Sequence, residues 1–383
     1  MGRHVTRSEH TRRQFLRAAA GVGIAGGLAV AGGSSVGPAL AATDVYETWL
    51  TNYVSKVVKY TTPWGQVVDD WYPAFAAAHA DLAGHGGGRL WVPGGDATTE
   101  RKYHISKVAN FDLPSVSVHL QAYSYVERVG APDIWRGAPL SFHGYLNPDP
   151  SLRRQQTFAA LNGPGKVGYP QAQLARYPHE NGFGASFYKV VVVDGVQVPY
   201  APGKGLTAQF GCNNVAFRNN RIGPTAQSSI EQNWAGQAAI VIQGDMNPPS
   251  YPLFTTAVVT DNVVNIAVRG VYIDFCSSVD IGGNTFEPVA RAGITVGACG
   301  KAYIHDNVLK QVSRGAFGVY NGFEFVGIDD PDLLRNTLQS TTHKHCVISQ
   351  VREGHGGVIY ARNNHLTKGF GTVFAGTLYW DYA

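Results

Sequence analysis

The chain is poor in cysteine, in methionine and in charge. Cys212, Cys276, Cys299 and Cys346 are its 4 cysteines in 383 residues, and they lie too far apart for a small disulfide scaffold. No CxxC pair occurs, so a zinc ribbon has no support. Charged residues make up 15% and strong helix formers do not dominate, which argues against a mainly helical protein. An excess of positive charge is also missing beyond the N-terminus. Of the 31 Lys+Arg and 27 Asp+Glu, five arginines and Glu9 fall in residues 1–42, which leaves 26 of each sign in the remainder. Nucleic acid as a partner therefore has no compositional support. What the chain does have is 46 Gly, 19 Tyr, 17 Phe and 7 Trp, the composition of a turn-rich β protein.

Residues 1–42 are expected to be an export signal and not part of the fold. "TRRQFLR" from Thr11 holds the adjacent pair Arg12 and Arg13, and a Gly-rich, weakly apolar stretch follows. "GPALAAT" then offers a small-residue cleavage site around Ala39 to Ala42. This resembles a twin-arginine (Tat) signal, which exports folded proteins. The stretch is too weakly apolar for a membrane anchor. The expectation is a secreted protein formed by residues 43–383, without membrane association once the signal is removed.

Length alone suggests about two domains, but an internal ruler overrides that count. "VAFRNNRI", "AVVTDNVV", "VDIGGNTF", "AYIHDNVL" and "IYARNNHL" place Asn220, Asn262, Asn284, Asn307 and Asn364 in one pattern. Each is apolar residues, two polar-like positions, Asn, any residue, then apolar. Asn284 and Asn307 both stand eight residues after a cysteine, Cys276 and Cys299. A period near 22 or 23 with short strands resembles the right-handed parallel β-helix of the pectate-lyase-like superfamily. In such a coil alternate residues point inward and stack on the coil below. Asn suits a tight bend, and stacked amides pair along the axis. The expected fold is all-β, one parallel β-helix over 43–383, with Cys276 and Cys299 as buried neighbours and a disulfide between them left open.

"DDWYPAFAAAHADLAGHGGGRLWVPGG" predicts a helix over about 69–84 that covers one end of the coil. Asp69 or Asp70 is its cap, Pro73 sits in its first turn, and Trp71, Phe75, Ala78 and Leu82 form its apolar face.

Spacing predicts that Val271, Ile294 and Phe317 are vertical neighbours, which sets Tyr272, Asp274 and Thr295 on the outer surface. The segments 245–254 and 321–345 are expected to be loop insertions flanking this strip. Asp245, Tyr251, Asp330 and His345 would stand on the two walls. A concave strip with aromatic walls and carboxylates suits a polysaccharide or oligosaccharide. Glycoside cleavage takes two carboxyl groups. Asp274 is the first candidate, with Glu287, Asp245 or Asp330 as partner, in a hydrolase or transglycosylase. A lyase is the alternative. It would use Arg, Lys, Tyr or His as base and a cation to neutralise a uronate, and Arg269, Arg291 and Arg314 would form a basic row beside Tyr272 and Tyr320. The pectate lyase elements W-x-D-H and R-x-P-x-x-R are absent. A glycan-binding β-helix without catalysis is the third reading. No cofactor is implied, and a bound cation such as calcium stays open, as does the oligomeric state.

Overall fold

One turn of the chain shows how the residues build the wall. Arg269–Asp274 forms a strand, Cys276–Gly282 a second and Thr285–Phe286 a third. The next turn repeats them as Ile294–Gly297, Lys301–His305 and Val308–Lys310. Val271, Ile273, Val279, Ile281 and Phe286 face inward and are buried, as are Ile294, Val296, Ile304 and Leu309 one coil on. Each such side chain removed from water contributes about 1.5–3 kcal/mol before conformational entropy is subtracted. The β-branched residues of these rungs suit a flat, stacked surface.

The computed structural model describes residues 45–132, 137–144, 155–177, 180–225, 238–244 and 254–310, the last without 268, 288, 290, 291, 298 and 300. Beyond residue 310 it describes strand backbones and Asn336. From Glu47 onward the chain is one unit. Its strands form three sheets of 12, 12 and 10 strands, in which each strand pairs with the one a coil away. The first sheet contains Cys276–Gly282, the second Thr285–Phe286 and the third Arg269–Asp274. Among the described residues all pairings are parallel except that of Val58–Thr61 with Val67–Asp70 at the start. This is a parallel β-helix. Among the described residues no helix is long and apolar enough to cross a membrane.

Helix α1 spans Tyr72–Gly84, and Trp71, Phe75, Ala78 and Leu82 are buried. Asp70 accepts the Tyr72 N–H at 3.0 Å and also the Ser106 N–H and hydroxyl. Asp69 pairs instead with Lys59 on the surface, and both acids belong to the preceding strand Val67–Asp70. Phe75 begins an edge-to-face column that continues through Phe111, Phe142 and Phe183.

The asparagines form a ladder inside the corner between the first and second sheets. Asn220, Asn262, Asn284 and Asn307 each donate a side-chain N–H to the carbonyl oxygen of the next amide at 2.9 Å, ending on Asn336. The main-chain N–H groups of the same residues donate to the same oxygens at 3.0–3.1 Å. All five are fully buried. The unusual backbone belongs to the residue before each of the first four: Asn219, Asp261, Gly283 and Asp306 have φ between 53° and 67°. The ladder asparagines thus earn their place by the amide and not by backbone tolerance. Asn336 supplies the rung missing between Asn307 and Asn364, which lies outside the described residues.

Val271 and Ile294 are register neighbours, but Ile294 pairs next with Phe323, not Phe317. Ile294 and Phe323 are 29 residues apart, so the 23-residue ruler falls short by six. Segment 321–345 is accordingly not one loop. It contains Phe323–Val326, Asp332–Leu334 and Thr337–Gln339, one strand for each sheet. Cys212, Cys276 and Cys299 are buried free thiols. Cys276 pairs by register with Phe254 on the rung before, so this stack is not continuous in cysteine.

Candidate functional site

Asp274 ends its strand on the outer side of the third sheet, between Gln243 and Gly297 in the register. Its Oδ2 accepts the Tyr272 hydroxyl at 3.0 Å and its Oδ1 accepts the Phe275 N–H at 3.0 Å. Burial nevertheless dominates and pushes the carboxyl up to about 6, against the pull of both hydrogen bonds. The Arg269 guanidinium lies 5.7 Å from the centre of the Tyr272 ring, a cation–π contact that holds the ring beside the carboxyl.

Asp274 belongs to a polar strip that climbs the sheet one rung at a time. His143, Ser186, Gln209, Gln243 and Asp274 are successive register neighbours. His143 Nδ1 and Ser186 Oγ are 2.7 Å apart, and Gln209 donates its amide N–H to Gln243 Oε1 at 3.1 Å. Among these described residues Asp274 is the only carboxylate.

An aromatic border runs beside the strip. The residues that follow Ser186, Gln209 and Asp274 are Phe187, Phe210 and Phe275, with φ of 59°, 39° and 54°. Left-handed backbone is costly for a bulky residue, of order 1–3 kcal/mol each. Each donates its N–H to the next rung's main chain, which holds the corner. Phe210 is 41% exposed, so its ring is not there to fill the core. Gly244 takes the same corner after Gln243, and its N–H bonds the Asp274 carbonyl at 3.1 Å.

The other expected residues fall differently. Thr295 pairs with Tyr272 in the register and is buried, not an open floor. Glu287 follows the second sheet's strand Thr285–Phe286 and pairs with Lys310 at 3.2 Å. It is on another sheet from Asp274 and cannot be the second carboxyl of this strip. Arg269 is buried, and the next two residues, Gly270 and Val271, donate their N–H groups to the carbonyls of Ala292 and Gly293. Arg291, Arg314, Tyr320, Asp245, Tyr251, Asp330 and His345 lie outside the described residues. Main-chain register sets Glu324 beside Thr295. No group of three or more His, Cys, Asp or Glu among the described residues is arranged to hold a metal ion.

Sequence reasoning missed His143, Ser186, Gln209, Gln243 and the phenylalanine border. A signal existed in "SF", "QFG", "QGD" and "DFC", where a polar residue precedes Phe or Gly.

No protein-family model and no curated protein sequence matches the chain. Solved structures similar to it include a tailspike protein of E. coli bacteriophage HK620 in complex with a pentasaccharide. That similarity has 13% identity and a TM-score of 0.45, and covers 83% of this chain and 65% of the tailspike chain. The surface adhesin PfbA of Streptococcus pneumoniae is 12% identical with a TM-score of 0.44, over 87% of this chain and 93% of that one. The A-module of a mannuronan C-5 epimerase from Azotobacter vinelandii is 12% identical with a TM-score of 0.27, over 88% and 99%. The assignment as a parallel β-helix rests on this chain's own strand order and register.

Proposed function

We propose that this is a secreted carbohydrate-active β-helix that cleaves glycosidic bonds of an extracellular polysaccharide, as a hydrolase or transglycosylase, with Asp274 as proton donor. One observation carries the reading: Asp274 is a carboxyl group held near pKa 6 on a strip of hydrogen-bonding side chains with an aromatic border. A carboxyl tuned to about 6 keeps its proton in mildly acidic medium and gives it up at a leaving oxygen. Ser186, Gln209, Gln243 and His143 supply hydroxyl, amide and imidazole groups that suit sugar hydroxyls, and exposed Phe210 supplies a face for a sugar ring. The second carboxyl that such cleavage takes would come from Asp245, which follows Gly244 in the chain, or from Glu324. Export would be directed by residues 1–42, with Arg12 and Arg13 as the pair that is recognised.

The test is a panel of neutral and acidic polysaccharides given to the purified chain from residue 43, with product mass spectrometry and ultraviolet absorbance. Saturated products lost in Asp274→Asn support the reading. Ultraviolet-absorbing products would make it a lyase, for which the Arg269–Tyr272–Asp274 contact is the supporting geometry. Binding without products at any pH between 4 and 8 would leave a glycan-binding β-helix. Replacing Arg12 and Arg13 by lysine should keep the chain inside the cell.

A further inference from the structure

The outer face of the first sheet carries an aromatic cluster that the chemistry above does not use. Trp49, Trp91, His119 and Asn162 are register neighbours on successive rungs. The rings of Trp49 and Trp91 stack at 5.6 Å, and those of Trp91 and His119 meet at 4.5 Å. These separations match the rung spacing of about 4.8 Å, so strand register sets the stack. Where these strands turn toward the second sheet, Trp91, His119, Gly94, Gly163 and Tyr123 help line an open cleft of about 540 Å³.

Tyr123 is out of character for its position. By register it stands at the corner occupied on later rungs by Pro164, Gly195 and Asn219, and further along by Asp261, Gly283 and Asp306. All of these but Pro164 have positive φ, as Tyr123 does at 61°. Elsewhere the chain uses residues that adopt this backbone at low cost. Here it uses tyrosine, and 47% of it is exposed. The ring fills no core, so the strain has no structural return there.

The cation beside the cleft, Arg89, is already paired. None of its lining residues is lysine or arginine. Arg89 pairs with Glu47 and lies over the Trp91 ring, and Trp91 Nε1 donates to Glu47 at 3.1 Å. Asp96 accepts the Thr98 and Thr99 N–H groups and the Thr98 hydroxyl. Burial, aided by Arg89, pulls His119 down to about 4, so the imidazole is neutral at pH 7. An anionic ligand finds no counter-charge in this cleft. An extended peptide finds no free strand edge, because Gly88–Val92 is paired on both sides.

We propose that this cleft is a second saccharide-binding site, for a neutral pyranose chain that stacks on the Tyr123 ring, packs against the edge of the Trp91 ring and hydrogen-bonds to the His119 and Gln121 side chains. It is on a different sheet from Asp274 and does not depend on that residue's chemistry. The cleft would hold a polymer on the protein independently of cleavage.

The test uses the chain from residue 43 and the hexasaccharides of maltose, cellulose, mannan and xylan, with a galacturonate hexamer as anionic probe. Tryptophan fluorescence and affinity electrophoresis report binding. At least one neutral probe should bind, Trp91→Ala and Tyr123→Gly should each weaken it by about tenfold or more, and Asp274→Asn should leave it unchanged. Tyr123→Gly guards against a folding artefact, since glycine prefers this backbone, and its thermal midpoint should lie within about 2 °C of the parent or above it. Three results would overturn the proposal. They are no binding of any neutral probe, binding that survives both substitutions, and a Tyr123→Gly midpoint lower by more than about 5 °C, which would make Tyr123 a structural residue.

Discussion

The asparagine ladder and the Asp274 strip are both polar rows that climb one rung at a time, yet they are opposite in kind. In the ladder every rung is the same residue, each amide is both donor and acceptor to its neighbours, and all are fully buried. Nothing is left over for a ligand. In the strip every rung differs: histidine, serine, glutamine, glutamine, aspartate. Its groups are paired in part, and its carboxyl is held away from its ordinary pKa by burial. Repetition with closed hydrogen bonding marks a row that builds the protein. Variation with open chemistry marks a row that uses it.

The largest effect expected from breaking this contrast is in the ladder. Asn284→Ala removes the acceptor of the Asn262 amide and the donors to Val259 and Asn307. It should cost about 3–5 kcal/mol, since several buried groups lose partners at about 1–3 kcal/mol each. Chemical denaturation measures this. In the strip the loss should appear in activity instead. Asp274→Asn should lower turnover by about a hundredfold or more, measured on the polysaccharide that the panel identifies.

The same variant should gain stability at neutral pH. The folded carboxyl titrates at about 6 and the unfolded one near 3.8, so between these values the folded state holds more protons. Wild-type stability therefore falls as pH rises from about 4 to 6 and stays lower above it, by about 1–3 kcal/mol. Asp274→Asn should remove that slope, and thermal unfolding at pH 4 and pH 7 checks it. Tyr272→Phe is a finer probe. It deletes a hydrogen bond that favours the ionised carboxylate, so the high-pH limb of the activity profile should move to higher pH. The smallest effect belongs to Glu287→Gln. Its ion pair with Lys310 is exposed, and both stability and activity should change by less than about 0.5 kcal/mol.

The wall of the molecule was legible because local rules and tertiary stacking agree in it. Val271 and Ile294, or Asn284 and Asn307, are 23 residues apart in the chain and adjacent in space. The ruler failed where coils differ in length. Ile294 meets Phe323, 29 residues on, and reading 321–345 as a loop hid Asn336 in "LLRNTL". The same irregularity hid most of the strip. Its members are separated by 43, 23, 34 and 31 residues from His143 to Asp274, so no period connects them. Glu287 was set beside Asp274 for a related reason. Closeness in sequence was taken for closeness on one sheet, while a corner separates the two.

By itself the amino-acid order determined that the chain coils, which residues turn inward, and that asparagine would line one corner. These follow from period-2 alternation and a repeat length, and both are properties of neighbours along the chain. Tertiary structure alone decided that Asp274 stands with Gln243, Gln209, Ser186 and His143, and that Tyr123 overlooks a cleft with Trp91. Those groupings depend on how many residues each coil spends in its turns. Turn length is unconstrained by the inward pattern, so only the stacked coil sets which outward residues meet.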